Sequence, residues 1–209
     1  NRKRLKIVRG NSWGFKSLLQ HLKNSKSTQA YIIGVALGDG NLSNPNGRAV
    51  RLRVTCDKKY PQLISEICTA IQHLFPENRV STVDRKNCVD ISCYSNEWEK
   101  LLGWKAKDGS KSKQSAHIPS WILGNVNYSK HCIRGLIQTD GSIYTDRGYI
   151  MINYTTIISE LADNVSQILS TLGYQHQKRK VVSKGKKKYV IRISKNVENF
   201  MQEIHLWKE

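Results

Sequence analysis

Acidic residues are scarce in this chain. Asp and Glu number 16 against 34 Lys and Arg, which leaves a formal net charge of +18. Such an excess implies a polyanionic partner: nucleic acid first, an anionic membrane surface as the alternative. Proline is scarce too, and four residues exclude a Pro-rich scaffold. Long apolar runs are missing. Tyr31–Gly38 is among the longest, well short of the roughly 18 residues of a membrane span. No apolar stretch near the start has signal-peptide length, so an intracellular location is expected, in cytoplasm or an organelle matrix. The five cysteines, Cys56, Cys68, Cys88, Cys93 and Cys132, form no CxxC pair and no Cys-His set with zinc-finger spacing. They read as small core residues in a reducing compartment.

What is present is periodic. Hydrophobic residues make up 39% of the 209 positions, enough for one or two domains of ordinary size. Positive charge is clustered. Residues 1–27 hold eight basic side chains and residues 178–188 hold seven, with no acidic residue in either segment. Two such runs far apart in a folded chain suggest a broad basic surface.

The chain contains its own duplicate. Ile33-Gly34-Val35-Ala36-Leu37-Gly38-Asp39-Gly40 is echoed by Arg134-Gly135-Leu136-Ile137-Gln138-Thr139-Asp140-Gly141. Downstream, Val89-Asp90-Ile91-Ser92 is echoed by Ile191-Arg192-Ile193-Ser194, an offset of 102, and Leu102-Gly103-Trp104 by His205-Leu206-Trp207. Shared elements in the same order predict two similar halves about a pseudo-twofold axis. Each half reads as helix, two strands, helix, two strands, helix, an α+β pattern with antiparallel sheets. The spacing predicts a helix over 28–37, with Thr28 as its N-cap. A half-buried strand over 47–56 puts Leu52, Val54 and Cys56 inside, and Arg51, Arg53 and Thr55 outside. Leu63, Ile67, Ile71 and Leu74 form a helical stripe, matched later by Ile158, Leu161, Val165, Ile168 and Leu172. Hairpins are expected over 80–94 and 174–194, the second with Lys184–Lys188 in its turn. The expected units are a basic arm at 1–27, a first repeat at 28–104, a linker at 105–117 and a second repeat at 118–209.

Asp39 and Asp140 each end an apolar helix and precede a glycine, which reads as a left-handed helix cap. A carboxylate at a helix C-terminus is disfavoured by about 0.3–1 kcal/mol, and a nearby cation would remove that penalty. Gly34 and Gly38 share one helix face, and Gly135 and Thr139 occupy the matching places. Small residues there let two parallel helices approach closely and bring both carboxylates to one end. Two carboxylates with helix-end carbonyls make a hard oxygen site suited to Mg²⁺, and such a site beside a basic surface suits phosphodiester hydrolysis. The same residues also fit two routine helix caps in a duplicated DNA-binding fold.

Ile32–Gly40 and Ile133–Gly141 resemble the two motif copies of the LAGLIDADG homing endonucleases, and Ile118-Pro119-Ser120-Trp121-Ile122 resembles the family's segment between repeats. The resemblance runs from about Thr28 to the C-terminus. It implies a saddle of two antiparallel sheets whose concave face lies in the DNA major groove, in a single-chain monomer that cuts both strands of a long asymmetric site. Asp39 and Asp140 would be catalytic acids holding two or more Mg²⁺ ions, with the carbonyls of Gly38 and Thr139 as further ligands. Lys111 and Lys113 would be the basic residues beside the site. Where the family has a Gln or Lys at the end of the second strand, this chain has Cys56 and Tyr154. DNA contacts are expected from the outer strand faces: Arg51, Arg53, Thr55, Ser81, Arg85, Asp90 and Ser92, then Met151, Asn153 and Arg192. Lys186, Lys187 and Lys188 would grip phosphates. Other functions compatible with the same fold are a non-cleaving RNA maturase or DNA-binding regulator, and the endonuclease domain of an intein.

Overall fold

The computed structural model describes residues 25–183 and 185–207, without the side chains of residues 25, 183 and 186. Most of the basic arm therefore lies outside the described residues, as do Lys184 and the Lys186 side chain. The elements run α1 (Ser25–Asp39), β1 (Gly40–Ser43), β2 (Arg51–Asp57), α2 (Pro61–Leu74), β3 (Val80–Asp84), β4 (Cys88–Tyr94) and α3 (Trp98–Leu102). They continue as α4 (Ser120–Leu123), α5 (Val126–Asp140), β5 (Gly141–Asp146), β6 (Tyr149–Thr156), α6 (Ser159–Thr171), β7 (His176–Ser183), β8 (Lys186–Ile193) and α7 (Val197–Glu203). The strands form two antiparallel sheets of the same order, β1-β2-β4-β3 and β5-β6-β8-β7. The architecture is α+β with two repeated units, as the duplication predicts.

Local chemistry explains the elements. Burial alternates along β2, where Leu52, Val54 and Cys56 are buried and the residues between them are not; this is the pattern of a sheet with one covered face. Pro61 opens α2, where its missing N–H costs nothing. The Asn125 side chain caps α5 by accepting from the Tyr128 N–H at 3.1 Å. Gly103 ends α3 with φ 83°, a left-handed cap. Helix α1 is different. Ala30–Leu37 are buried all round, because α2, α5 and β2 each pack on it, and a helix apolar on all sides belongs inside. The core is continuous across both units and runs through α1 and α5. The five cysteines are free thiols, with Cys56, Cys93 and Cys132 buried. No described helix is long and apolar enough to cross a membrane.

Several expectations need correction. Thr28 is buried inside α1, which already runs from Ser25, so it is no N-cap. Gly141 is extended (φ −81°, ψ 149°) and opens β5 rather than forming a left-handed cap. Glycine is needed there because a Cβ would come within 2.5 Å of the Ile137 carbonyl oxygen, and at Gly40 within 2.5 Å of that of Ala36. Lys186, Lys187 and Lys188 lie in β8, paired with Ser183, Val182 and Val181, and not in the turn. The repeat offset in the fourth strand is 100, not 102. Val54 pairs with Ile91 in the first sheet, and Tyr154 with Ile191 in the second.

Candidate functional site

The two motif helices touch through their backbones. A Cβ on Gly135 would stand 2.5 Å from the Tyr31 carbonyl oxygen and 2.8 Å from the Val35 nitrogen. One on Gly34 would overlap the Cys132 carbonyl and lie 3.1 Å from the Leu136 nitrogen. Further along, Gly38 abuts the Thr139 side chain, and its Cβ would be 3.5 Å from Asp140 Cγ. The contacts advance together along both helices, so α1 and α5 run parallel and end side by side. Asp39 and Asp140 are exposed at that shared end. A carboxylate pair is thus built from glycines that let two helices meet without side chains between them.

A lysine from outside both helices completes the cluster. Lys111 Nζ donates to the carbonyls of Ala36 at 3.0 Å, Leu37 at 2.7 Å and Gly38. These are end carbonyls of α1, which have few intrahelical donors to meet. The segment that carries Lys111 is rich in Lys and Ser, yet it is tied down. Gln114 bridges it by accepting from the Lys105 N–H at 2.8 Å and donating to the Lys105 and Gly109 carbonyls at 2.9 and 3.0 Å. Burial lowers the Lys111 pKa, while the Asp140 and Asp39 carboxylates oppose that shift. The unfavourable charge of a carboxylate at a helix C-terminus is therefore offset by the protein's own ammonium. Lys113 is exposed, and its N–H donates to Ser110 Oγ at 3.3 Å. Of the two expected basic residues, Lys111 is the one brought to the helix ends.

Each carboxylate has a buried neighbour from a second strand. The Cys56 thiol is pushed up to about 12 by burial and by Asp39. The Tyr154 hydroxyl is pushed up by burial and by Asp140. Both stay protonated and neutral near pH 7, so neither acts as a base there. Two carboxylates and backbone oxygens are hard donors that fit a divalent cation such as Mg²⁺, which keeps several waters and needs few protein ligands. Among the described residues no group of three or more His, Cys, Asp or Glu is arranged to hold a metal, so the pair is the whole acidic set. The Gly38 carbonyl, expected to face a metal, accepts from Lys111 instead. Thr139 turns its Oγ1 back onto the Gly135 and Leu136 carbonyls at 2.8 and 3.1 Å.

The outer sheet faces carry the expected polar residues. In the first sheet Arg53 pairs with Ser92, which pairs with Ser81, and Thr55 pairs with Asp90. These five share a face with Arg51. In the second, Asn153 pairs with Arg192, and Met151 lies two residues before it on the same side. Arg51 Nε donates to Ser43 Oγ at 3.2 Å, and Asn153 Nδ2 to Tyr144 Oη at 3.0 Å. Asp90 is buried although it lies on this face, because Thr55 and Arg85 cover it. Lys188 shares the face of Arg192, whereas Lys187 has the parity of the buried Ile191. Register adds residues that alternation in single strands did not reach: Asn41 beside Arg53, Tyr94 beside Arg51, Tyr144 beside Met151, and Gln177 beside Arg192. A signal for them existed in neighbouring strands, but it needed the pairing.

Comparison with known proteins agrees with this arrangement. A LAGLIDADG-like domain matches residues 127–205, and a WhiA LAGLIDADG-like domain matches residues 28–96. No curated protein matches the chain in sequence. Among solved structures, I-DmoI in complex with DNA and Mn is similar at a TM-score of 0.63 and 19% identity, covering 87% of this chain and 96% of that one. I-DmoI in complex with DNA and Ca gives a TM-score of 0.64 at 19% identity, covering 88% and 90%. The N-terminal LAGLIDADG domain of DUF199/WhiA gives 0.61 at 11% identity, covering 98% and 97%. At such identities the likeness speaks for the fold.

Proposed function

We propose that this chain, which carries two LAGLIDADG-like domains in one polypeptide, is a site-specific DNA endonuclease that breaks both strands of a long asymmetric duplex. The observation that carries the reading is the carboxylate pair, Asp39 and Asp140, at the joined ends of two parallel helices held together by Gly34 and Gly135. A pure binder has no use for two acids at the centre of a basic surface, where they repel the phosphates they would face.

The chain's own residues divide the work. Asp39 and Asp140 would hold a divalent cation, Mg²⁺ in this proposal, and the Thr139 carbonyl would be a further helix-end oxygen. When bound there, Mg²⁺ supplies Lewis acidity to the phosphodiester and lowers the pKa of water. Lys111 keeps a positive charge at Nζ next to the reacting phosphate and fixes the end of α1. The outer strand faces orient the duplex: Arg51 and Arg53 over bases, Lys188 along phosphates. Because both motif helices belong to one chain, a monomer presents the complete site. Cys56 and Tyr154 line the carboxylates without taking up a proton.

The I-DmoI complexes with DNA and Mn and with DNA and Ca support a metal-dependent reading. A second reading, a non-cleaving DNA-binding regulator, is favoured by the match of the first unit to the WhiA LAGLIDADG-like domain and by the Lys111 ammonium on the Gly38 carbonyl. Incubating the chain with a randomised duplex library, with and without Mg²⁺, and sequencing the ends separates the two. Ends at one defined sequence, only with Mg²⁺, support the nuclease. Enrichment of a bound sequence with no ends in Mg²⁺ or Mn²⁺ supports the regulator.

A further inference from the structure

The two sheets are built alike but differ in the layer of side chains nearest the carboxylates. Gly40 follows Asp39 and pairs with Val54; Gly141 follows Asp140 and pairs with Tyr154. The next residue on each second strand is a threonine, Thr55 or Thr155. Thr55 pairs with Asp90, and Thr155 pairs with Val190. Equivalent places therefore hold a carboxylate in one half and an isopropyl group in the other.

Asp90 sits on the face expected to meet DNA, where a bare carboxylate would be repelled. It is not bare. Its Oδ1 accepts from Thr55 Oγ1 at 2.7 Å and its Oδ2 from Arg85 Nε at 2.6 Å. Burial alone would raise its pKa, but these two hydrogen bonds and the nearby Arg85 and Arg53 charges hold it below the ordinary value. The Arg85 side chain remains 55% exposed while Asp90 is 7% exposed. The geometry thus uses the inner nitrogen of Arg85 for the carboxylate and leaves its two terminal nitrogens outward. Those are the atoms that meet guanine O6 and N7 as a pair. A fixed guanidinium also loses less rotamer freedom on binding than a free one.

The second half is arranged differently. Its central arginine, Arg192, spends a terminal nitrogen, Nη2, on Asp146 at 3.2 Å, and its Nε is buried. Held this way, it does not offer the same pair of donors. Val190 puts no carboxylate in the layer; Arg179 pairs with it on the same face, but its Nη2 donates to Gln177 Oε1 at 2.8 Å and, among the described residues, no acid fixes it.

We infer that Asp90 is a positioning residue that aims Arg85 at a single guanine in one half of the target, and that the pseudo-symmetric position of the other half has no such requirement. This rests on the DNA-binding part of the proposed function and names the asymmetry within it. Asp90 itself contacts no base.

The test uses the full chain in Ca²⁺, with a duplex selected from a randomised library and competitors bearing each base at each position. In the wild type, one position of one half-site favours guanine by about tenfold or more. Arg85→Ala abolishes that preference. Asp90→Asn weakens it without altering the preferences elsewhere, and Arg85→Lys, which keeps the charge but not the fork, fails to restore it. Melting curves of the three variants identify any loss of folding, which Arg85→Ala can also cause by removing the partner of the buried Asp90. A guanine preference that survives Asp90→Asn unchanged overturns the positioning role. Equal guanine requirements at mirrored positions in both halves overturn the asymmetry. A wild-type chain that enriches no duplex at all removes the DNA-binding reading, and this inference with it.

Discussion

Glu66 and Arg134 form an ion pair at 2.8 Å in which the two side chains are 0% and 1% exposed. The pair joins α2 of the first unit to the motif helix α5 of the second. Tyr31 from α1 lies under the guanidinium, 4.6 Å from ring centroid to Cζ, and Gln138 donates to the other Glu66 oxygen at 3.2 Å. Burial holds the Glu66 carboxyl above its ordinary value, with Arg134 opposing the shift. A pair this deep contributes little net stability, since desolvation offsets attraction, but it penalises any arrangement that separates the partners. It ties the two halves in one register around the carboxylate pair.

Removing one partner should therefore be costly. Glu66→Gln leaves the Arg134 charge buried and is expected to lose about 3–5 kcal/mol in urea unfolding. The double replacement Glu66→Leu with Arg134→Met should recover most of the loss. A Glu66→Gln loss below about 1 kcal/mol would show that the pair opens to solvent.

Gly34 is the tightest contact between the motif helices. Gly34→Leu should force α1 and α5 apart and lower stability by about 3 kcal/mol, the upper end of overpacking costs. Gly135→Ala should act in the same direction. An unchanged melting temperature in either variant would contradict the backbone-to-backbone contact.

Lys111 links folding to the site. Lys111→Met leaves three α1 carbonyls without their shared donor and should cost about 1.5–3 kcal/mol, the range for hydrogen bonds to a charged group. A double-mutant cycle with Asp140→Asn should show a coupling of about 0.5 kcal/mol or more, as expected for neighbours. Additive effects would place the ammonium away from the carboxylates.

Asp90 predicts a pH dependence. Its folded pKa lies below the usual value of about 3.9, so the unfolded state binds the proton first as pH falls. The stability from its pairing is complete above about pH 4 and disappears as pH drops through the folded value. Asp90→Asn should be less stable than wild type at pH 7, and the difference should shrink below about pH 4. A constant difference across that range would contradict the assignment.

Much of this was readable from residue order alone. The alternation of Arg51–Cys56 predicted both faces of β2, because a half-covered sheet imposes period two. The paired Gly-x4-Asp-Gly motifs predicted parallel helices and adjoining carboxylates. The 102 offset went wrong for the same reason the alternation worked: a period-two pattern looks identical after a shift of two residues, and only hydrogen-bond register separates the options. Strand β1 belongs to the expected order of two strands after the motif helix, but its place was not legible because Gly40-Asn41-Leu42-Ser43 offers one apolar residue. Glu66 left a faint trace as a charged residue on the stripe of Leu63, Ile67 and Ile71, and Arg134 and Gln138 left another, four apart among the apolar Ile133, Leu136 and Ile137. The role of Lys111 at the α1 carbonyls left none, since it reaches a helix end more than seventy residues away in sequence.

The most direct test of the central claim is strand cleavage of the selected duplex in Mg²⁺, measured for each strand beside binding in Ca²⁺. The account predicts that wild type cuts both strands, and that Asp39→Asn and Asp140→Asn bind with near wild-type affinity but lose double-strand cleavage. A wild type that binds the duplex tightly and leaves both strands intact, or either variant cutting both strands at the wild-type rate, would contradict it.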